Sequence, residues 1–166
     1  MDYQKTFVDI ATNFIKREGV NDLLNELTRK GFFEVPASIS KHHAYDGGLA
    51  QHSIEVFYNL HAINNRHKLN LSGESMAIVA LFHDVCKLDA YIHDGIGWAR
   101  NSNAWHAGHG EKSVFIIMQY MKLHRNEIEA IRWHMGEFGD ELQRSWTKNP
   151  LAVALHLADT ESAFFS

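Results

Sequence analysis

Apolar residues recur at three- to four-residue intervals through most of the chain, the spacing of helices that bury one face. From Asp2 to Arg17 the stripe is Tyr3, Phe7, Ile10, Ala11, Phe14 and Ile15, and Gly19 supplies a stop. Asn21 or Asp22 can cap a second helix that carries Leu23, Leu24 and Leu27 and ends near Gly31. Phe32 to Gly48, with Pro36, Ser38, Ser40, Asp46, Gly47 and Gly48, is expected to be an ordered loop. A third helix, Leu49 to His67, points Leu49, Val56, Leu60 and Ile63 inward with Phe57 flanking. His52 falls on that stripe, whereas His61 and His67 fall off it and are expected in solvent. Ser72 caps a fourth helix from Gly73 or Glu74 to Cys86 or Lys87.

Leu88 to Gly108 has turn signals at Asp94, Gly95 and Gly97 and at Asn101-Ser102-Asn103, and is expected to form a short hairpin or a flap. A fifth helix follows Gly108 with Val114, Ile117, Met118 and Met121 as its core stripe, and a sixth, capped by Asn126, carries Ile128 and Ile131, with His134 continuing that face. Glu137 to Asn149 is polar, a loop or short helical turn, and Pro150 opens a last helix that is almost wholly apolar up to Asp159. The expected fold is all-α, a bundle of about seven helices.

Composition narrows the picture. The 166 residues include 2 Pro and 11 Gly and no low-complexity segment, so residues 1–166 are expected to form one domain. A net charge of -4 without a Lys/Arg block argues against a broad nucleic-acid surface and leaves room for a small phosphorylated ligand. Cys86 stands alone, so no internal disulfide is possible, and no signal or membrane-spanning stretch is evident. A soluble cytoplasmic protein without a membrane partner is the expectation.

The unusual count is 12 His. In Ala80-Leu81-Phe82-His83-Asp84-Val85-Cys86-Lys87 a histidine and an aspartate end an apolar run at a helix C-terminus, where the helix dipole disfavours a carboxylate unless a cation accompanies it. His52, His83, Asp84, His109, His134 and Asp159 all occupy inward or helix-terminal positions. Any one alone is more often a satisfied core residue; together they have a simpler common cause. Imidazole nitrogen with carboxylate oxygen is the ligand set of divalent Mn, Fe, Co, Ni or Zn, and six ligands exceed one tetrahedral site but suit two ions bridged by a carboxylate. Cys86 reads as filler, with no base placed beside it.

The order His52, His83-Asp84, His109, His134, Asp159 resembles the HD-domain superfamily of metal-dependent phosphohydrolases, in its version with two histidines between the His-Asp pair and the final aspartate. The segment from His42 to His52 is further similar to the HD domain of bacterial 3′-5′ exoribonucleases, without their OB-fold domain, so long RNA is not an expected substrate. The resemblance implies that His52, His83, Asp84 and Asp159 hold one divalent transition-metal ion and His109 and His134 a second, with Asp84 bridging. It also implies a metal-activated hydroxide attacking phosphorus in a nucleotide or short oligonucleotide. Lys87 matches a lysine that often follows the His-Asp pair and is expected to contact phosphate or steady the transition state; its alternative role is to neutralise the helix C-terminus. Arg100, Lys112, His42 and His43 are further candidates for substrate contact. The same ligands serve HD-fold mixed-valent diiron oxygenases, and a non-catalytic module stabilised by metal is a third reading.

Overall fold

The computed structural model describes residues 2–105, 107–136 and 143–165. Among them are seven α-helices: α1 Tyr3–Phe14, α2 Val20–Arg29, α3 Gly48–His67, α4 Gly73–Phe82, α5 His109–Met118, α6 Arg125–Arg132 and α7 Pro150–Phe165. A single antiparallel hairpin, β1 Tyr91–His93 and β2 Trp98–Arg100, pairs Tyr91 with Arg100 and His93 with Trp98. The all-α expectation holds, and the expected hairpin falls inside the irregular stretch. Residues 137–142 of the expected polar loop lie outside the described residues; Gln143–Lys148 forms a short 3-10 turn. No described helix is long and apolar enough to cross a membrane.

Helix α3 runs through the middle of the bundle, packed on α1, α4 and α7, while α6 packs on α5 and α7. Leu49, Val56, Leu60 and Ile63 are buried as the spacing requires. Close approach of the preceding segment fixes where α3 begins, since a Cβ at Gly48 would lie 2.1 Å from the His43 carbonyl oxygen. Helix α4 is apolar all round and buried from Ser75 to Phe82, so it is a core helix rather than an amphipathic one.

Several boundaries differ from expectation for identifiable reasons. Helix α1 stops at Phe14, which frees Arg17 to reach Glu127. Helix α2 starts after Gly19, in a left-handed turn at φ 88°, rather than after Asn21 or Asp22. Helix α6 is capped at His124, not Asn126, because the Glu127 carboxylate turns back to accept the His124 amide at 2.7 Å. That buried carboxylate also accepts from Arg17 Nη1 (2.6 Å) and Ser75 Oγ (2.7 Å), locking together the start of α4 and the start of α6. On α5, Ile117 is buried and Met121 just beyond it is too, but Met118 is 50% exposed; the inward face runs through Gly110, Lys112 and Ser113 instead. His67 is exposed as expected, whereas His61 is half-buried between Phe14 and Phe57, and burial lowers its pKa.

Candidate metal centre

Helix α4 ends at Phe82, four residues short of the nearer expected limit. Neighbouring residues on an α-helix diverge by about 100°, so His83 and Asp84 could not both aim at one point if the helix continued. Instead Asp84 leaves helical geometry (φ -108°, ψ 16°) and the chain tightens into a 3-10 turn, Val85–Asp89. Side chains 83 and 84 thereby face the same space, the His83 Nε2 to Asp84 Oδ2 distance being 3.6 Å.

Four more residues from separate helices meet them. His52 of α3 places Nε2 3.3 Å from His83 Nε2 and 3.1 Å from Oδ1 of Asp159 on α7. His109, the first residue of α5, puts Nε2 2.7 Å from Asp84 Oδ1, and His134, just past α6, puts its Nε2 3.4 Å from the same oxygen. The α5 and α6 ends meet because Gly110 has no side chain: a Cβ there would sit 2.4 Å from the Arg132 carbonyl oxygen. The six residues singled out by spacing are therefore one cluster. Three overlapping groups, His52-His83-Asp84, His83-His134-Asp159 and Asp84-His109-His134, each present ligand atoms within 4.8 Å of one another. Asp84 belongs to the first and the third.

Hydrogen bonding sets the ring orientations. His83 Nδ1 donates to the Ala80 carbonyl (2.9 Å) and His134 Nδ1 to the Ile131 carbonyl (2.6 Å), in each case the residue three before it. His52 Nδ1 lies 3.0 Å from Ser162 Oγ, whose own proton goes to Glu55 Oε2 at 2.8 Å, so the serine oxygen accepts from the ring. With Nδ1–H committed, all three rings turn their Nε2 edge to the centre, as metal-binding histidines do. His134 Nε2 is buried with no hydrogen-bond partner. A buried acceptor left so costs about 1–3 kcal/mol, and a cation among these nitrogens and carboxylates would satisfy it. The donor set fits a divalent transition metal.

The charges point the same way. Burial pushes the Asp84 carboxyl up, but Lys87, His83 and His109 outweigh it and hold it well below the usual carboxylate range. Asp159 is likewise lowered against its burial, chiefly through His52 and His83. Burial lowers the His83 pKa to about 4, keeping that ring neutral. His109 is opposite: burial lowers it, yet the charge and hydrogen bond of Asp84 push it up to about 10. The metal-free centre thus balances Asp84 with the His109 imidazolium and the Lys87 ammonium, whose Nζ is 2.6 Å from Asp84 Oδ2.

A cleft of about 550 Å³ opens onto the cluster, its lining including Lys41, His42, Lys87, Met135 and Phe164. His42 stands 5.1 Å, ring to ring, from His52. His43 is buried, its Nε2 2.9 Å from Glu55 Oε2, and does not line the cleft; it braces the network behind His52. Arg100 and Lys112 line an adjoining pocket, Lys112 being buried and bonded to Asp89 and to the Trp105 carbonyl. Glu111 pairs with Arg132, and His156 Nδ1 donates to the His134 carbonyl at 2.7 Å. Cys86 corrects an expectation: an imidazole does stand beside it, with Sγ 3.3 Å from His109 Nδ1, although Asp84 holds that ring protonated. Sequence reading also missed Glu55 and Ser162, whose only signal is that each lies three residues after a cluster member on its own helix.

The family model described as HD domain matches residues 49–163, from the start of α3 into the last turn of α7, a span that carries all six clustered residues. No curated protein and no solved structure matches the chain. Over more than two thirds of its length, and with its His-Asp pair at the core of the cluster, the chain belongs to the HD domain family.

Proposed function

We propose that the protein is a metal-dependent phosphohydrolase that cleaves a phosphate ester of a nucleotide or short oligonucleotide. The observation that carries this reading is the convergence of three buried imidazole Nε2 atoms, that of His134 without a hydrogen-bond partner, on two carboxylates held in their ionised form. HD domains typically bind divalent metals and are usually hydrolases, which supports the same assignment. His52, His83, Asp84 and Asp159 would hold one ion, and His109 and His134, with Asp84 shared, a second. Bound there, divalent ions supply an acidified water and neutralise charge on phosphoryl oxygens.

The chain's own residues do the rest. Nδ1–H bonds to Ala80, Ile131 and Ser162 fix the three rings before any ligand arrives, so little reorganisation accompanies reaction. Lys87, only 13% exposed and facing the cleft, is the cation of this chain nearest Asp84, and with that carboxylate held by a metal its ammonium would serve a phosphoryl oxygen. Met135 and Phe164 add apolar surface to the cleft lining, suited to the ring of a nucleoside.

The test is a panel of nucleoside monophosphates, triphosphates, cyclic nucleotides and short oligonucleotides, each incubated with Mn²⁺, Co²⁺, Ni²⁺, Zn²⁺ or Fe²⁺ under argon. Phosphate release or diester cleavage with at least one cation is expected. In a parallel aerobic series, turnover that requires Fe, is absent under argon and consumes O₂ in proportion to product would transfer the protein to the oxygenase class; retention of metal with no turnover in either series would make it a binding module.

A further inference from the structure

The hairpin and the residues after it enclose a second pocket beside the metal cleft, of about 410 Å³. Its described lining includes Lys87, Arg100 and Lys112 and no carboxylate, on a chain whose net charge is -4. These cations are not equivalent. Lys87 Nζ is engaged by Asp84 and Lys112 Nζ by Asp89. Arg100, exposed at the end of β2, makes no ion pair among the described residues. Its backbone is held in place: Asn101 N donates to the Ala90 carbonyl at 2.9 Å, Asn101 Nδ2 to the Asp89 carbonyl at 2.8 Å, and Trp98 Nε1 to Asp46 Oδ1 at 2.7 Å. The last bond fastens the hairpin to the segment ahead of α3. Lys87 and His109 line both this pocket and the metal cleft, so the two spaces join at the Asp84 end of the cluster.

We propose that this pocket receives a second phosphate group of the substrate, with Arg100 as its main contact, so that the preferred substrates carry a phosphate beyond the one cleaved; this rests on the phosphohydrolase reading. A guanidinium presents paired N–H donors that match phosphate oxygens, and Arg100 has that fork free of any described carboxylate. Lys87 and Lys112 are already neutralised by Asp84 and Asp89, so the charge left without a described carboxylate on this wall is that of Arg100, and an anion entering the pocket meets it there. A monophosphate would occupy only the metal cleft and gain nothing from Arg100.

The test uses the as-purified protein and its Arg100→Gln variant, which alters an exposed side chain and leaves every described ion pair intact. Methylenediphosphonate and methylphosphonate, which are not hydrolysed, are titrated calorimetrically into both, and both are assayed on a nucleoside 5′-monophosphate and the matching 5′-diphosphate. The wild type is expected to bind the diphosphonate about tenfold or more tighter than the monophosphonate, and to show a KM about tenfold lower for the diphosphate. Arg100→Gln should erase both differences while leaving kcat and the monophosphate KM unchanged. Equal effects on both members of each pair, or no effect, overturn the proposal. Arg100-dependent diphosphonate binding without turnover of either nucleotide sinks the hydrolase reading and keeps the pocket; turnover indifferent to Arg100 does the reverse.

Discussion

Replacing His134 by leucine should move stability in opposite directions with and without metal. His134 is fully buried, its Nδ1–H donates to the Ile131 carbonyl, and its Nε2 has no hydrogen-bond partner. Leucine of similar volume removes the unsatisfied nitrogen, a gain of about 1–3 kcal/mol, and forfeits the Nδ1–H bond, a loss of about 1 kcal/mol. In EDTA, His134→Leu is therefore expected to match the wild type or exceed it by up to about 2 kcal/mol. With metal at about one hundred times Kd, linkage stabilises the wild type by about 2.7 kcal/mol, a rise of roughly 5–11 °C in Tm for a domain of this size. The variant should lose most of that rise. Urea unfolding in EDTA, compared at equal m, and thermal unfolding with and without Mn²⁺ measure the two arms. A loss of more than about 2 kcal/mol in EDTA, the ordinary cost of deleting a well-packed core side chain, would refute the idea that His134 is held in a strained, ligand-ready state.

Two further outcomes follow from the charges at Asp84. Metal binding at pH 8 should release about one proton from His109, whose pKa of about 10 in the metal-free protein keeps it protonated there; calorimetry in buffers of different ionisation enthalpy reads this directly, and proton uptake or none would contradict it. The sign is fixed by the raised pKa: the His109–Asp84 attraction is present below the ordinary histidine range and disappears as pH rises through about 10, so proton release should fade above that pH. Lys87→Met should leave metal content equal or higher, because Nζ and the metal compete for Asp84 Oδ2, while kcat falls about 10²-fold or more. Metal analysis beside phosphate-release kinetics separates this from a structural role, in which metal content and stability would fall together with kcat.

Much of the site was legible because helical periodicity carries side-chain direction. His52 lies three residues after Leu49 and four before Val56, and all three are fully buried. Asp159 could be placed inward from Leu155 in the same way, and His134 from Ile131, whose carbonyl also turns out to hold its ring. What stayed hidden depends on contacts between distant segments. The apolar run into Val85 gives no sign that the helix ends at Phe82, because the break serves the convergence of two side chains rather than any local preference. Lys112, a candidate for substrate contact by sequence, is covered by Asp89 and the Trp105 carbonyl, and the burial of Glu127 depends on Arg17, 110 residues away. Cys86 looked inert because nothing in the sequence brings the start of α5 against its thiol.

The most direct measurement of the central claim is the fate of labelled oxygen. Turnover of a nucleotide substrate by the metal-loaded protein in H₂¹⁸O under argon, followed by mass spectrometry of the phosphate-bearing product, should show one ¹⁸O per phosphate released. Product that lacks the label, or that forms only when ¹⁸O₂ is supplied and takes its oxygen from there, would contradict water attack on phosphorus at the His-Asp centre.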